Sequence, residues 1–170
     1  MKKRARKANR ATTAGTDTMV GLDDRPGFLI RRAHQISQSV FIDECESLDI
    51  TATQFGVMSV LARFRELDQI GVARALGFDR STTALVVKLL ENRALIVRTS
   101  NAGDRRRHVL RLTDAGEKLR RRAEPLVDHV RDRLVGAFPP AQAATFMALL
   151  DKFIRSFDDV ARVPLRRLPK

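Results

Sequence analysis

"VARALGFDRSTTALVVKLLENRALI", residues 72–96, is the stretch on which the fold turns. In the short segment "QIGVARAL", which Asp68 can cap, Val72, Ala73 and Leu76 point one way, as on a helix. Gly77 then supplies a residue tolerant of positive φ, which predicts a tight turn. After the turn, Asp79 or Ser81 can cap a longer helix in which Thr83, Val86, Val87, Leu90 and Ala94 share a face at helical period. Its opposite face presents Ser81, Ala84, Leu85 and Lys88. Past Ala94 the period falls to two. Ile96 to Thr99 and Arg107 to Leu112 read as strands around the turn Asn101-Ala102-Gly103-Asp104.

Helix, tight turn, helix and basic hairpin make a winged helix-turn-helix. The major groove of B-DNA is wide enough for one α-helix, so the second helix can insert while the first braces it across the backbone. A hairpin with arginines at its tip can then enter a narrow minor groove or grip phosphates. The charge map agrees with this use. The chain has 170 residues and a net charge of +12, with 32 Lys and Arg against 20 Asp and Glu, an excess whose physical rationale is a polyanion. Residues 79–112 hold 8 basic and 3 acidic groups, the largest excess of any segment. The expected DNA contacts there are Arg80, Ser81, Thr82, Ala84, Leu85, Lys88, Arg98, Arg105, Arg106 and Arg107.

Working outward, Leu29, Ala33, Ile36 and Val40 predict a long first helix from Pro26 to about Ser47. "TATQ" offers Thr51 as a cap with Gln54 three residues on, for a second helix running to about Arg65. Thr113 starts a helix through Leu119, Ala123, Leu126, Val127, Val130 and Leu134, in which Pro125 is expected to cause a kink. Pro139 and Pro140 end it, and a last amphipathic helix carries Phe146, Leu149, Leu150, Phe153 and Phe157. The first ten residues, "MKKRARKANR", carry six cations and no apolar period, and are expected to be disordered until they meet an anion.

The ordered set "VARALGFDRSTTALVVKLLENRALI" followed by "GDRRRHVLRLTDAG" resembles the MarR-type bacterial transcriptional regulators, and the resemblance spans about residues 26–157. It implies a mainly α fold with a small β-wing, built as a winged helix-turn-helix lobe plus a helical dimerisation region. The implied organisation is a basic tail (1–25), a first dimerisation helix (26–50), the DNA-binding lobe (51–112), further dimerisation helices (113–157) and a basic C-terminal tail (158–170). Ser81 and Thr82 match the pair that opens the family's recognition helix, where hydroxyls and backbone N–H groups meet phosphate or base edges. Asp104, Arg105 and Arg106 match an Asp-Arg-Arg in which the acid restrains one arginine while the other reaches DNA; Arg107 is an additional charge. Two departures stand out. Ala84 and Leu85 replace a Thr or Ser followed by Arg, which removes the usual guanine contact and suits thymine methyls. Ala94 stands where the family usually has Gly, and a non-Gly residue in left-handed geometry there costs roughly 1 kcal/mol.

Many relatives of this type bind a small anion, often aromatic, between the dimer helices and the DNA-binding lobe. Arg31, Arg32, His34 and Arg63 are the candidates for such a ligand, because an arginine fork suits a carboxylate or phosphate. "GFLIRRAHQISQSVFIDE" is similar to the first helix of members that respond to aromatic acids or their coenzyme A thioesters. The competing reading pairs these arginines with Asp43, Glu44 or Glu46. Cys45 is expected to be a buried structural thiol, since redox-sensing members polarise theirs with tyrosine and this chain has none. No metal-ligand spacing, cofactor motif or catalytic constellation is present, and an enzyme is not expected. No apolar run reaches the length of a membrane span, and the basic start lacks a signal peptide's apolar segment, so a cytoplasmic protein is expected. The implied function is a ligand-responsive regulator, a repressor, that binds a pseudo-palindromic operator in double-stranded DNA as a homodimer and is released by a small anionic effector. The alternative is an architectural or nucleoid-type DNA-binding protein without an effector.

Overall fold

Four helices begin where a side chain satisfies their first free N–H groups, at Thr51, Asp68, Asp79 and Thr113. The computed structural model describes residues 21, 24–64, 67–100 and 108–165. In chain order it contains α1 (Pro26–Cys45), a 3-10 turn (Glu46–Leu48), α2 (Ala52–Arg63), α3 (Gln69–Leu76), α4 (Arg80–Asn92), β1 (Ile96–Ser100), β2 (His108–Leu112), α5 (Asp114–Val135), α6 (Pro140–Phe157) and a final 3-10 turn (Asp158–Val160). The basic N-terminal tail up to Val20 lies outside the described residues. Contacts divide the chain into two units, residues 1–35 and 36–170. In the first, residues 26–35 form the opening turns of α1.

The core of the second unit draws on every element that carries the helix-turn-helix. Val57, Met58 and Leu61 of α2 meet Val72 of α3, Val86, Val87 and Leu90 of α4, and Leu95, Ile96 and Leu110 at the base of the hairpin. Ala123 and Val130 of α5, Phe41 and Cys45 at the end of α1, and Leu48 and Ile50 between α1 and α2 complete it. Each fully buried large side chain, such as Met58, Leu90 or Leu110, contributes about 1.5–3 kcal/mol relative to an exposed one. Val87, Val86, Leu90 and Thr83 are buried as the period required.

Several helices end earlier than their sequence pattern predicts. α1 stops at Cys45, not Ser47, because the chain tightens into a 3-10 turn and Asp49 then adopts left-handed geometry. Arg93 stabilises that turn by donating to the carbonyls of Asp49 and Leu48. α2 ends at Arg63 rather than Arg65, since Phe64 is already extended while its N–H still bonds to Val60. Ala94 does not share the buried face of α4. The helix ends at Asn92, and Ala94 is exposed with φ of 53°. Its N–H donates to Glu91 O at 2.9 Å and the next N–H, of Leu95, donates to Leu90 O at 3.0 Å. That pair of bonds is a Schellman motif, closed by the buried contact partners Leu90 and Leu95. Pro125 is accommodated within one continuous helix, α5, on its exposed side, where water can serve the carbonyl that its missing N–H leaves unpaired.

β1 and β2 pair antiparallel from Ile96↔Leu112 to Ser100↔His108. Leu110 also bridges to Leu67 through its N–H at 2.7 Å, so the hairpin is fastened to the chain just ahead of α3. On the other side, the Thr113 hydroxyl donates to Ala94 O at 2.7 Å, and its N–H donates to Leu95 O at 3.1 Å. Gly116 lies so close beneath that a Cβ there would stand 2.0 Å from Leu95 O. Only glycine lets α5 start against the hairpin. α6 differs from every other long helix: none of its residues is buried, although Phe146, Leu149, Leu150, Phe153 and Phe157 lie along it.

Candidate nucleic-acid interface

The chemistry of the recognition surface begins at the turn between α3 and α4. Gly77, with φ of 68°, ends α3, and both its N–H and that of Phe78 close on Ala73 O. Two residues later Asp79 caps α4, which settles the choice between Asp79 and Ser81. Its carboxylate accepts the Thr82 N–H and the Ser81 hydroxyl, each at 2.7 Å, and its carbonyl accepts the Thr83 hydroxyl at 2.8 Å. These bonds, the Thr82 N–H first and then the Ser81 hydroxyl, hold the Asp79 carboxyl at a pKa of about 2.

This arrangement changes what the first turn can offer DNA. The Thr82 N–H is already engaged, so the phosphate contact expected from backbone groups cannot use it. Ser81 Oγ has committed its hydrogen to Asp79 and presents lone pairs to a partner. Arg80, Ser81, Ala84, Leu85 and Lys88 are all exposed, along one face of α4, and Thr82 is half-buried at its edge. Leu85 is 59% exposed, and Leu89 extends the same apolar strip. A helix face with two small residues, a leucine and a lysine suits contacts to thymine methyls and one phosphate.

The hairpin leaves the core beside this helix. Arg98 on β1 has its guanidinium 3.3 Å from Glu91 Oε1 of α4 and 3.4 Å from Gln69 Oε1 of α3. It thereby joins the three elements, a role the sequence did not show, and the Glu91 carboxylate offsets part of its charge toward DNA. The strand ends Ser100 and His108 bracket the tip. Asp104, Arg105, Arg106 and Arg107 lie outside the described residues.

The candidate ligand residues fall into separate local settings. Arg31 and Arg32 both donate to Gln35 Oε1, at 3.2 and 3.1 Å, and Arg31 lies 5.1 Å over the Phe28 ring. His34 is exposed on the same helix. Arg63 stacks over its neighbour Phe64 at 5.6 Å. Asp43 and Glu44, the carboxylates considered as partners for the first-helix arginines, are both engaged by Arg133 of α5, at 2.5 and 2.7 Å. No sequence signal linked those residues, which lie about ninety positions apart. A cavity of about 450 Å³ opens between the end of α1, the start of α2 and the end of α4, lined among others by Ile42, Cys45, Ile50, Gln54, Leu89 and Arg93. Cys45 is fully buried at its wall, and desolvation followed by the nearby Glu44 charge pushes its thiol pKa up, as expected of an inert structural cysteine.

A family model described as MarR family matches residues 48–107, a span that takes in α2, α3, α4 and β1. Over 108 residues, 64% of this chain and 80% of the relative, the sequence is 31% identical to the transcriptional regulator HosA of Escherichia coli. This chain belongs to the MarR family. The MarR relatives with known structures show the same fold: BpsR of Bordetella bronchiseptica, whose DNA binding is regulated by 6-hydroxynicotinic acid, superposes with a TM-score of 0.72 at 27% identity, covering 77% of this chain and 94% of BpsR. The transcriptional repressor CouR, bound to a 23-mer DNA duplex, superposes with a TM-score of 0.73 at 29% identity, covering 79% and 96% of the two chains. The chain is therefore a MarR-type transcriptional regulator with a winged helix-turn-helix, and its relatives are regulators rather than enzymes. Among the described residues, no helix is long and apolar enough to cross a membrane.

Proposed function

We propose that this MarR-type chain is a cytoplasmic homodimeric repressor that binds a pseudo-palindromic operator with half-sites about one helical turn apart. The observation that carries this reading is the exposed face of α4, Arg80, Ser81, Ala84, Leu85 and Lys88, held beside the hairpin by Arg98. Arg105 or Arg106, restrained by Asp104, would reach the groove, and Arg107 would add a phosphate contact. The dimer reading draws on α6: a contiguous run of exposed phenylalanines and leucines is unfavourable in water, and a second copy of the chain would cover it. Residues 26–50 and 113–157 would then build the two-fold interface and 51–112 the DNA-binding lobe, with the basic stretches 1–25 and 158–170 flanking them.

The proposed effector is a small aromatic anion or its coenzyme A thioester. BpsR, which responds to an aromatic acid, supports the class, and Arg31 and Arg32 support the chemistry: both guanidiniums rest on a neutral amide oxygen. Binding would release DNA by favouring a lobe spacing that no longer fits two successive major grooves. His34 and Arg63 complete the candidate set. Competition at moderate salt tests the function. A promoter fragment from beside the protein's own gene should be retained against a large excess of mixed-sequence DNA, whereas an architectural protein would be displaced as readily from one as from the other. Thermal shift with aromatic acids tests the effector, and Arg31→Ala and Arg32→Ala should lose the stabilisation that the wild type gains.

A further inference from the structure

The cavity of about 450 Å³ between the end of α1, the start of α2 and the end of α4 has the size of a small-molecule site, for which about 300–1,000 Å³ is usual. Cys45 and Ile50 are buried in its wall, and Ile42 and Leu89 add exposed apolar surface. One polar side chain of the wall has an unused donor. Gln54 is only 8% exposed, and its Oε1 accepts the Thr51 N–H at 3.1 Å as half of the capping box. An N–H must meet the oxygen of the amide, so that bond turns the Nε2 the other way. No described residue accepts a hydrogen from Nε2. The atom is not sealed in the protein, since the enclosed side-chain atoms without partners among the described residues are Ser59 Oγ and Thr99 Oγ1. The open space that Gln54 borders is this cavity.

The charges in the wall select the class of ligand. The Arg93 guanidinium is committed to the carbonyls of Asp49 and Leu48 and lies 3.8 Å from the Asp49 carboxylate. Glu46, in the same wall, has no hydrogen-bond or ion-pair partner for its carboxylate among the described residues. An anion would therefore meet an uncompensated negative charge. A cation paired with Glu46 would leave Gln54 Nε2 without an acceptor. A carboxamide serves both groups, because its carbonyl accepts from Gln54 and its N–H donates to Glu46. We propose that this cavity binds a small uncharged carboxamide, whose carbonyl takes the Gln54 hydrogen and whose apolar body covers Ile42 and Leu89. Removing that apolar surface from water favours binding. The cavity shares no residue with the set Arg31, Arg32, His34 and Arg63 proposed for the anionic effector, so it is a second site with different chemistry. Leu89, Asn92 and Arg93 belong to the last turn of the recognition helix and its cap, and the ligand joins them to the junction of α1 and α2.

Benzamide and benzoate, which share a ring and differ in charge, test this on the full chain through its isoleucine methyl NMR signals. Ile42 and Ile50 lie in the cavity wall, whereas Ile70 of α3 and Ile154 of α6 do not. Benzamide should shift the Ile42 and Ile50 signals saturably and leave those of Ile70 and Ile154 in place. Benzoate should need a concentration about tenfold higher or more for the same shift. Gln54→Glu keeps an acceptor at the third position of α2, so the capping box survives, but it removes the donor. With an unfolding midpoint close to that of the wild type, this variant should bind benzamide about tenfold more weakly or worse. Ile42 and Ile50 signals that stay in place up to the solubility limit of benzamide would overturn the proposal. So would an equal response to benzoate, or a folded Gln54→Glu protein that binds benzamide as tightly as the wild type. The comparison of the two ligands uses the wild type alone and decides the matter even if the variant does not fold. None of these measurements involves DNA, so their failure leaves the proposed function standing.

Discussion

Ala94→Gly should stabilise this protein, against the usual direction of mutations. Ala94 occupies the left-handed position of the Schellman motif between α4 and β1, with φ of 53°. A side chain in that conformation costs roughly 1–2 kcal/mol, and glycine relieves it. Against this, glycine widens the unfolded ensemble, which costs roughly 0.4–1 kcal/mol. Ala94 is exposed, so no buried methyl is lost in exchange. The net expectation is a gain of roughly 0.5–1 kcal/mol, or a rise of about 1–4 °C in Tm for a chain of this size. Urea unfolding followed by far-ultraviolet circular dichroism, at one fixed protein concentration because the proposed dimer would make the midpoint concentration-dependent, reads it directly. A midpoint that is unchanged or lowered, with the same m-value, would refute the strain argument. It would mean that the hairpin base needs the alanine methyl or that the turn relaxes in solution.

Gly116→Ala should do the reverse, because its Cβ would meet Leu95 O at 2.0 Å; a loss of about 3 kcal/mol or more is expected in the same unfolding assay. Glu117 is held at a pKa of about 2, below the ordinary 4.5, chiefly by hydrogen bonds from Arg120 and Arg121. A carboxyl lowered on folding adds stability that is complete above its unfolded value and is lost as pH falls toward 2, so Glu117→Gln should flatten the acid limb between pH 4.5 and 2. Leu85→Arg should change base preference without loss of fold: guanine at the contacted positions gains about 1–3 kcal/mol over thymine, measured by base-by-base substitution of a bound duplex.

Much of the helix-turn-helix was legible because its signals are local. The Thr51 capping box, the Asp68 and Thr113 caps and the left-handed Gly77 each depend on residues within one turn of themselves, and the buried face of α4 follows from period alone. What escaped the reading depends on distant parts of the chain. Arg93 on the 3-10 turn, Arg133 on Asp43 and Glu44, Leu67 bridged to Leu110, and Leu165 on Gly77 all join residues far apart in sequence. Ala94 shows the limit within a local motif. Its apolar character fitted the helical period, yet the bonds from Ala94 and Leu95 end the helix first and turn the side chain out. The recognition face was placed correctly as exposed, but the commitment of the Ser81 hydroxyl and the Thr82 N–H to Asp79 became visible only with the geometry of the cap.

In the proposed function, α4 and the hairpin read a two-fold symmetric duplex. Selection of bound duplexes from a random-sequence pool by the full chain measures this most directly. The prediction is an enriched inverted repeat whose half-sites lie about 10–10.5 base pairs apart, centre to centre. A pool that binds with a steep salt slope yet shows no enriched repeat after selection would contradict it.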